Sequence, residues 1–245
     1  MALCEGSHHG CSRRAFQRSL IDQPLMQNVI ADLALEVEAA TLLAFRLARA
    51  VDDEQAGDAS AALLVRIGTP VGKYWNCKRV VGVVHEALEC HGGNGFVEEG
   101  PMARLYREAP LNGIWEGSGN IIALDVLRAA AKSPESVPAF LDEVRTAKGG
   151  DRRLDRAIDR LEAELRQPDE HEARARRIVE RMAVAMQASL IIRHSPAAVA
   201  DAFCATRLDA DAGAAYGSLP AGLDQRAIVE RARMAPFAGA EDAGL

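Results

Sequence analysis

Along the first third of the chain, apolar residues recur at steps of three and four. Val29, Ile30, Leu33, Val37, Ala40 and Ala44 share one side of a helix at this spacing. Pro24 suits a first helical turn, because its fixed φ fits there and its missing N–H is not needed. The pattern predicts a helix from Pro24 to about Val51, closed by the polar run Asp52 to Asp58. A second helical region is expected from Ala59 to Cys90, interrupted into two segments at Pro70, which lacks a backbone donor. Lys73, Tyr74 and Trp75 then read as a packing edge rather than a ligand contact. Ile121, Ile122, Leu124, Val126 and Leu127 predict another helix, with Ser118 or Asn120 as a cap in its first turn. Beyond the proline- and serine-rich stretch Lys132 to Pro138, Leu154, Ile158, Leu161 and Leu165 fall at 4, 3, 4 spacing. Ile178, Met182, Ala185 and Ser189 follow after a break at Pro168, which together predicts an antiparallel helical hairpin. No alternating valine- and isoleucine-rich strands occur, so the chain is expected to be all-α.

Composition narrows this picture. With 245 residues, 49% of them hydrophobic, the chain can bury a sizeable core. A net charge of -6 gives no general attraction to nucleic acid or to an anionic membrane. No apolar run is long enough to span a membrane, and the start lacks an apolar signal core, so a cytoplasmic location is expected. Five scattered cysteines point to reduced thiols. Cys4, His8, His9 and Cys11 are the right residue types for zinc, but Gly6, Ser7 and Gly10 among them favour a frayed terminus. No metal site is expected, and residues 1–12 and 235–245 are expected to be disordered.

The chemistry is concentrated between Cys90 and Ile121. Gly92-Gly93-Asn94-Gly95 reads as a tight turn ending a helix, since glycine tolerates positive φ and lets a ligand approach the backbone. Ile114-Trp115-Glu116-Gly117-Ser118-Gly119-Asn120 places a lone carboxylate just outside a helix start, where free N–H groups favour an anion. Beside Ile114 and Trp115 the carboxyl of Glu116 is expected to lose water and gain basicity. The residues alone leave two roles open for it: a general base, or a helix-capping glutamate that does no chemistry.

This string resembles the carboxy-terminal helical domain of the acyl-CoA dehydrogenase family, with its GG-x-G turn, arginine-containing short helix (Leu105-Tyr106-Arg107-Glu108) and aromatic-Glu-Gly-Ser step. Arg13-Arg14-Ala15-Phe16-Gln17-Arg18 with Leu20 to Leu25 is similar to the family's R-x-x-F-G-x-x-L-x-x-Q segment, except that Gln17 replaces the usual glycine. The segment from Gly68 to Trp75 and the wording around Trp115 look most like the AidB-like branch, associated with the bacterial response to DNA alkylation. The resemblance implies an up-and-down bundle over 13–133 with a helical extension over 134–234. It matches Glu116 to the base that removes the α-proton of an acyl-CoA thioester, although some branches keep their base elsewhere. Ser118, Asn120 and Gly93 match positions near FAD. Arg13 and Phe16 match residues that reach the FAD of a neighbouring subunit, and guanidinium suits a diphosphate. Glu89 stands where many members have glutamine.

The family's amino-terminal helical and middle β-domains have no counterpart ahead of Arg13. The chain is therefore expected to be a short form, a fragment or one piece of a split gene, acting as a homo-oligomer or with a chain that carries those domains, and to hold FAD only weakly alone. The alternative is a non-catalytic AidB-like module for oligomerisation or DNA binding. That alternative depends on the arginine-rich stretch 151–181, where nine arginines meet nine acids. Such a balance commonly reflects i, i+4 pairing on a solvated surface.

Overall fold

The computed structural model describes residues 1–167, 170–209 and 213–233. Its spine is a pair of 32-residue helices, α2 (Pro24–Gln55) and α3 (Ala59–Cys90), packed along their length. They are joined by a three-residue turn in which Gly57 takes φ +96°. Asp58 caps α3, accepting from the amides of Ser60 at 2.8 Å and Ala61 at 3.1 Å. Close approach depends on small residues: a Cβ on Gly68 or Gly72 would lie 2.7 or 2.6 Å from a methyl of Leu47.

Two expectations are corrected here. Pro70 does not divide α3, which runs unbroken from Ala59 to Cys90. An interior proline costs about 3 kcal/mol. Ile67, Val71, Tyr74 and Trp75, all buried around it, outweigh that cost, since burying one large apolar side chain stabilises by roughly 1.5–3 kcal/mol. The first twelve residues are likewise not frayed. Ala2–Ser12 form helix α1, which lies against the spine and the turn before it: a Cβ added at Gly6 would be in ordinary contact, 3.7 Å from Ile30 Cδ1, and one at Gly10 would be 3.5 Å from Ile21 Cδ1.

After α1 comes a two-stranded hairpin, β1 (Arg14–Ala15) with β2 (Arg18–Ser19), the only sheet among the described residues. Its turn residues Phe16 and Gln17 have φ of +49° and +67°, as a two-residue hairpin turn demands. The positive φ at Gln17 gives a physical reason for the glycine usual at this place. A helical turn α4 (Gly93–Phe96), helix α5 (Pro101–Glu108) and a 3-10 turn (Ala109–Gly113) lead from the end of α3 to α6 (Gly119–Lys132).

The expected boundary near Lys132 to Pro138 falls on the short link to α7 (Ser136–Arg145), and one apolar core continues across it. Helices α8 (Arg152–Leu165) and α9 (His171–His194) form the hairpin that the spacing predicts, with Leu154, Ile158, Leu161, Ile178, Met182, Ala185 and Ser189 all buried. Pro168, read as its break, and residues 235–245 lie outside the described residues. Helix α9 packs on α2, α3, α6 and α7, and the indole N–H of Trp75 donates to Gln187 Oε1 at 3.0 Å in the interior. Tyr74 and Trp75 are thus packing residues.

The chain returns through α10 (Ala197–Arg207) and α11 (Gln225–Ala232) to α2. A buried ionic cluster holds this return in place. Arg207 donates to Asp32 at 2.5 Å and to Glu36 at 3.2 Å, Arg79 donates to Glu36 at 2.8 Å, and the amide of Gly217 donates to Asp32 at 2.9 Å. The Arg79 guanidinium also lies over the rings of Trp75 and Tyr216. No helix is long and apolar enough among the described residues to cross a membrane.

Candidate functional site

The residues singled out in the sequence gather at two places along α3. The first is its carboxy-terminal end. There Gly92 turns the chain with φ +59°, and the short helix α4 begins at Gly93. Gly95 packs so closely that a Cβ would meet the Leu88 carbonyl oxygen at 2.3 Å, whereas a Cβ on Gly93 would meet nothing within 4 Å. The turn is therefore closed on its inner side and open at Gly93.

An open cavity of about 510 Å³ faces this turn, lined by His9, Arg13, Glu89, His91, Gly92 and Gly93 among others. Arg13 and Gly93 are thus brought together. Phe16 is not on the cavity wall; it sits at the hairpin tip with 92% of its surface exposed. The sequence pointed to His9 only as a metal ligand and gave no sign that it meets His91. Their rings stack at 4.6 Å between centroids, and His91 Nδ1 lies 2.7 Å from the Ala87 carbonyl. Burial, with the nearby His91, Arg13 and His8, lowers the pKa of His9 below its ordinary value. Burial, with the Glu86 and Glu89 carboxylates, pushes the Cys90 thiol up to about 12, so it stays protonated. Glu89, half-exposed, lies 3.5 Å from His85. Among the described residues no group of three or more His, Cys, Asp or Glu is arranged to hold a metal.

The second place is the loop that enters α6. Ser118 occupies the N-cap position with extended backbone (φ -72°, ψ 165°), yet its side chain caps no amide. The first-turn N–H groups of α6 are left to another acceptor. Lys78 lies over this start, for a Cβ on Gly119 would come within 2.7 Å of its Cε. Just before it, Glu116 takes φ +56° and Gly117 φ +116°. Lys73 on α3 reaches across and donates to the carbonyls of Asn112 at 2.6 Å and Trp115 at 3.0 Å.

The expected desolvation of Glu116 is not observed. Glu116 is exposed, as are Ser118 and Asn120, and its neighbours Ile114 and Trp115 are 62% and 55% exposed. Adjacency in sequence does not amount to burial, and in this chain the indole faces outward. Leu111 and Ile121, near them in the chain, are exposed as well, so the segment that carries Glu116 presents an apolar rim to solvent. Tyr74, which touches the start of α6, and Cys90, at the first place, are sixteen residues apart on one helix, or roughly 24 Å. Glu116, Ser118 and Asn120 therefore form one cluster, and Arg13 and Gly93 another.

The arginines of 151–181 are largely engaged internally. Arg174, Arg177 and Arg181 all pair with the buried Glu164. Arg153 pairs with Asp151 and Asp201, Arg156 with Asp209, and Arg166 with Glu162. Arg160 and Arg176 donate to the Leu208 carbonyl and the Tyr74 hydroxyl. Of the nine, Arg152 alone has no such partner among the described residues, so the arginine count does not translate into a free basic face.

Comparison with known proteins gives these clusters a context. The putative acyl-CoA dehydrogenase AidB of Escherichia coli is 41% identical over 206 residues, which covers 84% of this chain and 37% of that protein. The structure of Caenorhabditis elegans ACDH-11 in complex with C11-CoA superposes with a TM-score of 0.77 at 24% identity, over 84% of this chain and 40% of that one. An acyl-CoA dehydrogenase complexed with FAD from Bacillus anthracis gives a TM-score of 0.65 at 19% identity, over 84% and 44%. These two share the fold. The chain thus spans well under half the length of these relatives. Residues 5–131, which include both clusters, match the family described as acyl-CoA dehydrogenase, C-terminal domain, and the chain belongs to the acyl-CoA dehydrogenase family.

Proposed function

We propose that this chain supplies the carboxy-terminal helical part of a flavin-dependent oxidoreductase that forms an α,β-double bond in an acyl-CoA thioester, with Glu116 as the base. The observation that carries the reading is the position of Glu116: an exposed carboxylate on a left-handed step, just before an uncapped helix start, in a segment that also exposes Leu111, Ile114, Trp115 and Ile121. An exposed apolar rim of this kind marks a surface that another element covers. When so covered, the carboxylate loses water and becomes a stronger base.

The residues present fit a flavin dinucleotide in two portions. Gly119 and Asn120 offer amides that the Ser118 side chain does not cap, beside the Lys78 cation, which suits an anionic or carbonyl-bearing part of the cofactor. Arg13 and the open backbone at Gly93 suit a diphosphate or adenosine portion. Because the clusters are roughly 24 Å apart along α3, the two portions belong to different cofactor molecules, with Arg13 and Phe16 serving a neighbouring subunit. Glu89 on the cavity wall opposes an anion, so Arg13, rather than position 89, carries that contact. FAD, when bound, supplies the hydride acceptor. Glu116 takes the α-proton of the thioester, and the apolar rim keeps water from competing for it.

The test assembles this chain with a polypeptide that provides the family's amino-terminal and β-domains, then measures thioester oxidation. Glu116→Gln should lower kcat about 10²- to 10⁴-fold, the usual contribution of a positioned base. An unchanged rate would move the base to another residue. In the same set, this chain alone should retain FAD poorly, and tight retention would contradict the division of the cofactor site between clusters.

A further inference from the structure

We infer that Lys73 is the positioning residue of this site, fixing the direction in which the Glu116 side chain leaves the backbone. This deepens the reading of Glu116 as base and rests on it. The stretch from Ile114 to Gly117 has little else to hold it. Its two large side chains, Ile114 and Trp115, are mostly exposed and so contribute no core packing. Its own backbone bonds are local, from the amides of Ile114 and Trp115 to the Leu111 carbonyl. Yet Glu116 sits at φ +56°, a conformation that a residue with a Cβ keeps only when its surroundings impose it.

Lys73 provides that constraint from outside the loop. Its ammonium binds two carbonyls at once, that of Asn112 within the 3-10 turn and that of Trp115 immediately before Glu116. Hydrogen bonds from a charged donor are about twice as strong as neutral ones, and two on one ammonium fix both distance and orientation. The far side of the step is closed separately, where Gly117 packs on Ile122 and Gly119 lies against Tyr74. The left-handed step is thus held between a charged tether and a packed helix start. Lys73 itself is anchored on α3, next to the buried Tyr74 and Trp75, so the loop takes its position from a long helix packed into the core.

The experiment uses this full chain with Lys73→Met and Lys73→Arg, read by amide hydrogen exchange and by the Trp115 indole N–H resonance. Lys73→Met should speed exchange of the Ile114 and Trp115 amides, which bond to the Leu111 carbonyl, by about tenfold or more, leave α2 and α9 protected as before, and move the Trp115 resonance toward its value in an unfolded peptide. Lys73→Arg, which keeps a charged donor, should restore most of the protection and the resonance. Exchange raised less than about twofold in Lys73→Met, or raised equally across α3 and α9, would overturn the inference, as would a failure of arginine to rescue it. Glu116→Gln should leave loop exchange unchanged. The oxidation rate of that variant judges the base separately, so the two readings can fail independently.

Discussion

Asp32 offers a quantitative test of how α10 and α11 are held to the bundle. Asp32 and Glu36 are each 3% exposed, one turn apart on α2. Asp32→Asn preserves shape but removes a charge, and an amide can accept from only one of its two present donors, Arg207 and the Gly217 amide. The other then faces an N–H group. Loss of a bond to a charged group costs about 1.5–3 kcal/mol, and removing one partner of a buried ion pair costs about 3–5. Glu36 remains 3.2 Å from Arg207 and keeps it partly compensated, so the expected loss is about 3 kcal/mol rather than 5. Glu36→Gln should cost about as much by the same reasoning. The double variant leaves Arg79 and Arg207 without a carboxylate, and should lose at least ~1 kcal/mol more than the two single losses added together. Urea unfolding followed by circular dichroism gives these values, and amide exchange should rise first in α10 and residues 213–219. A loss under about 0.5 kcal/mol for Asp32→Asn, or strict additivity, would show that the cluster does not act as a unit.

Two further outcomes concern the cavity at the end of α3. Gly95→Ala should destabilise the chain by about 1–3 kcal/mol in the same unfolding assay, because the added Cβ meets the Leu88 carbonyl, which cannot swing away. Gly93→Ala should fold normally but weaken flavin nucleotide binding in calorimetry, since the methyl fills only space offered to a ligand. His9 gives a pH dependence. Its folded pKa lies below the 6.5 of the unfolded chain, so between the two values the unfolded state binds the extra proton. Stability from this group is complete above 6.5 and is lost as pH falls through the window beneath it. Urea midpoints at about pH 5 and about pH 8 should therefore differ less in His9→Gln than in the parent chain, and an equal difference would remove His9 from the account.

What could be read in the sequence was set by how far apart the cooperating residues lie. The start of α2 at Pro24 and the α8–α9 hairpin follow from local periodicity, and both are where the spacing puts them. Pro70 misled because its local penalty is real, while the burial that outweighs it is tertiary. Helix α1 was hidden because Gly6, Ser7 and Gly10 have poor helical propensity. Their spacing with Ala2 and Leu3, at steps of one, three, one and three, was the available signal: it puts the five on one face of a helix, and all five are buried. In the site, the turn at Gly92 was legible from its glycines, and the helix start after Gly117 from the apolar run Ile121 to Leu127 with Ser118 before it. The His9–His91 stack and the Lys73 tether were not, since their partners are 82 and about 40 positions away along the chain and no local pattern links them.

That one uninterrupted helix carries both clusters makes α3 a ruler with a phase as well as a length. Inserting a single residue between Lys78 and Glu89 would shift one cluster relative to the other by only about 1.5 Å, but would rotate it by roughly 100° about the helix axis. The arginine cavity would then face another side of the molecule while each half stayed locally intact. Gains and losses in this interval are consequently tolerable only in sets that return the helix to register, a stricter condition than any single contact imposes.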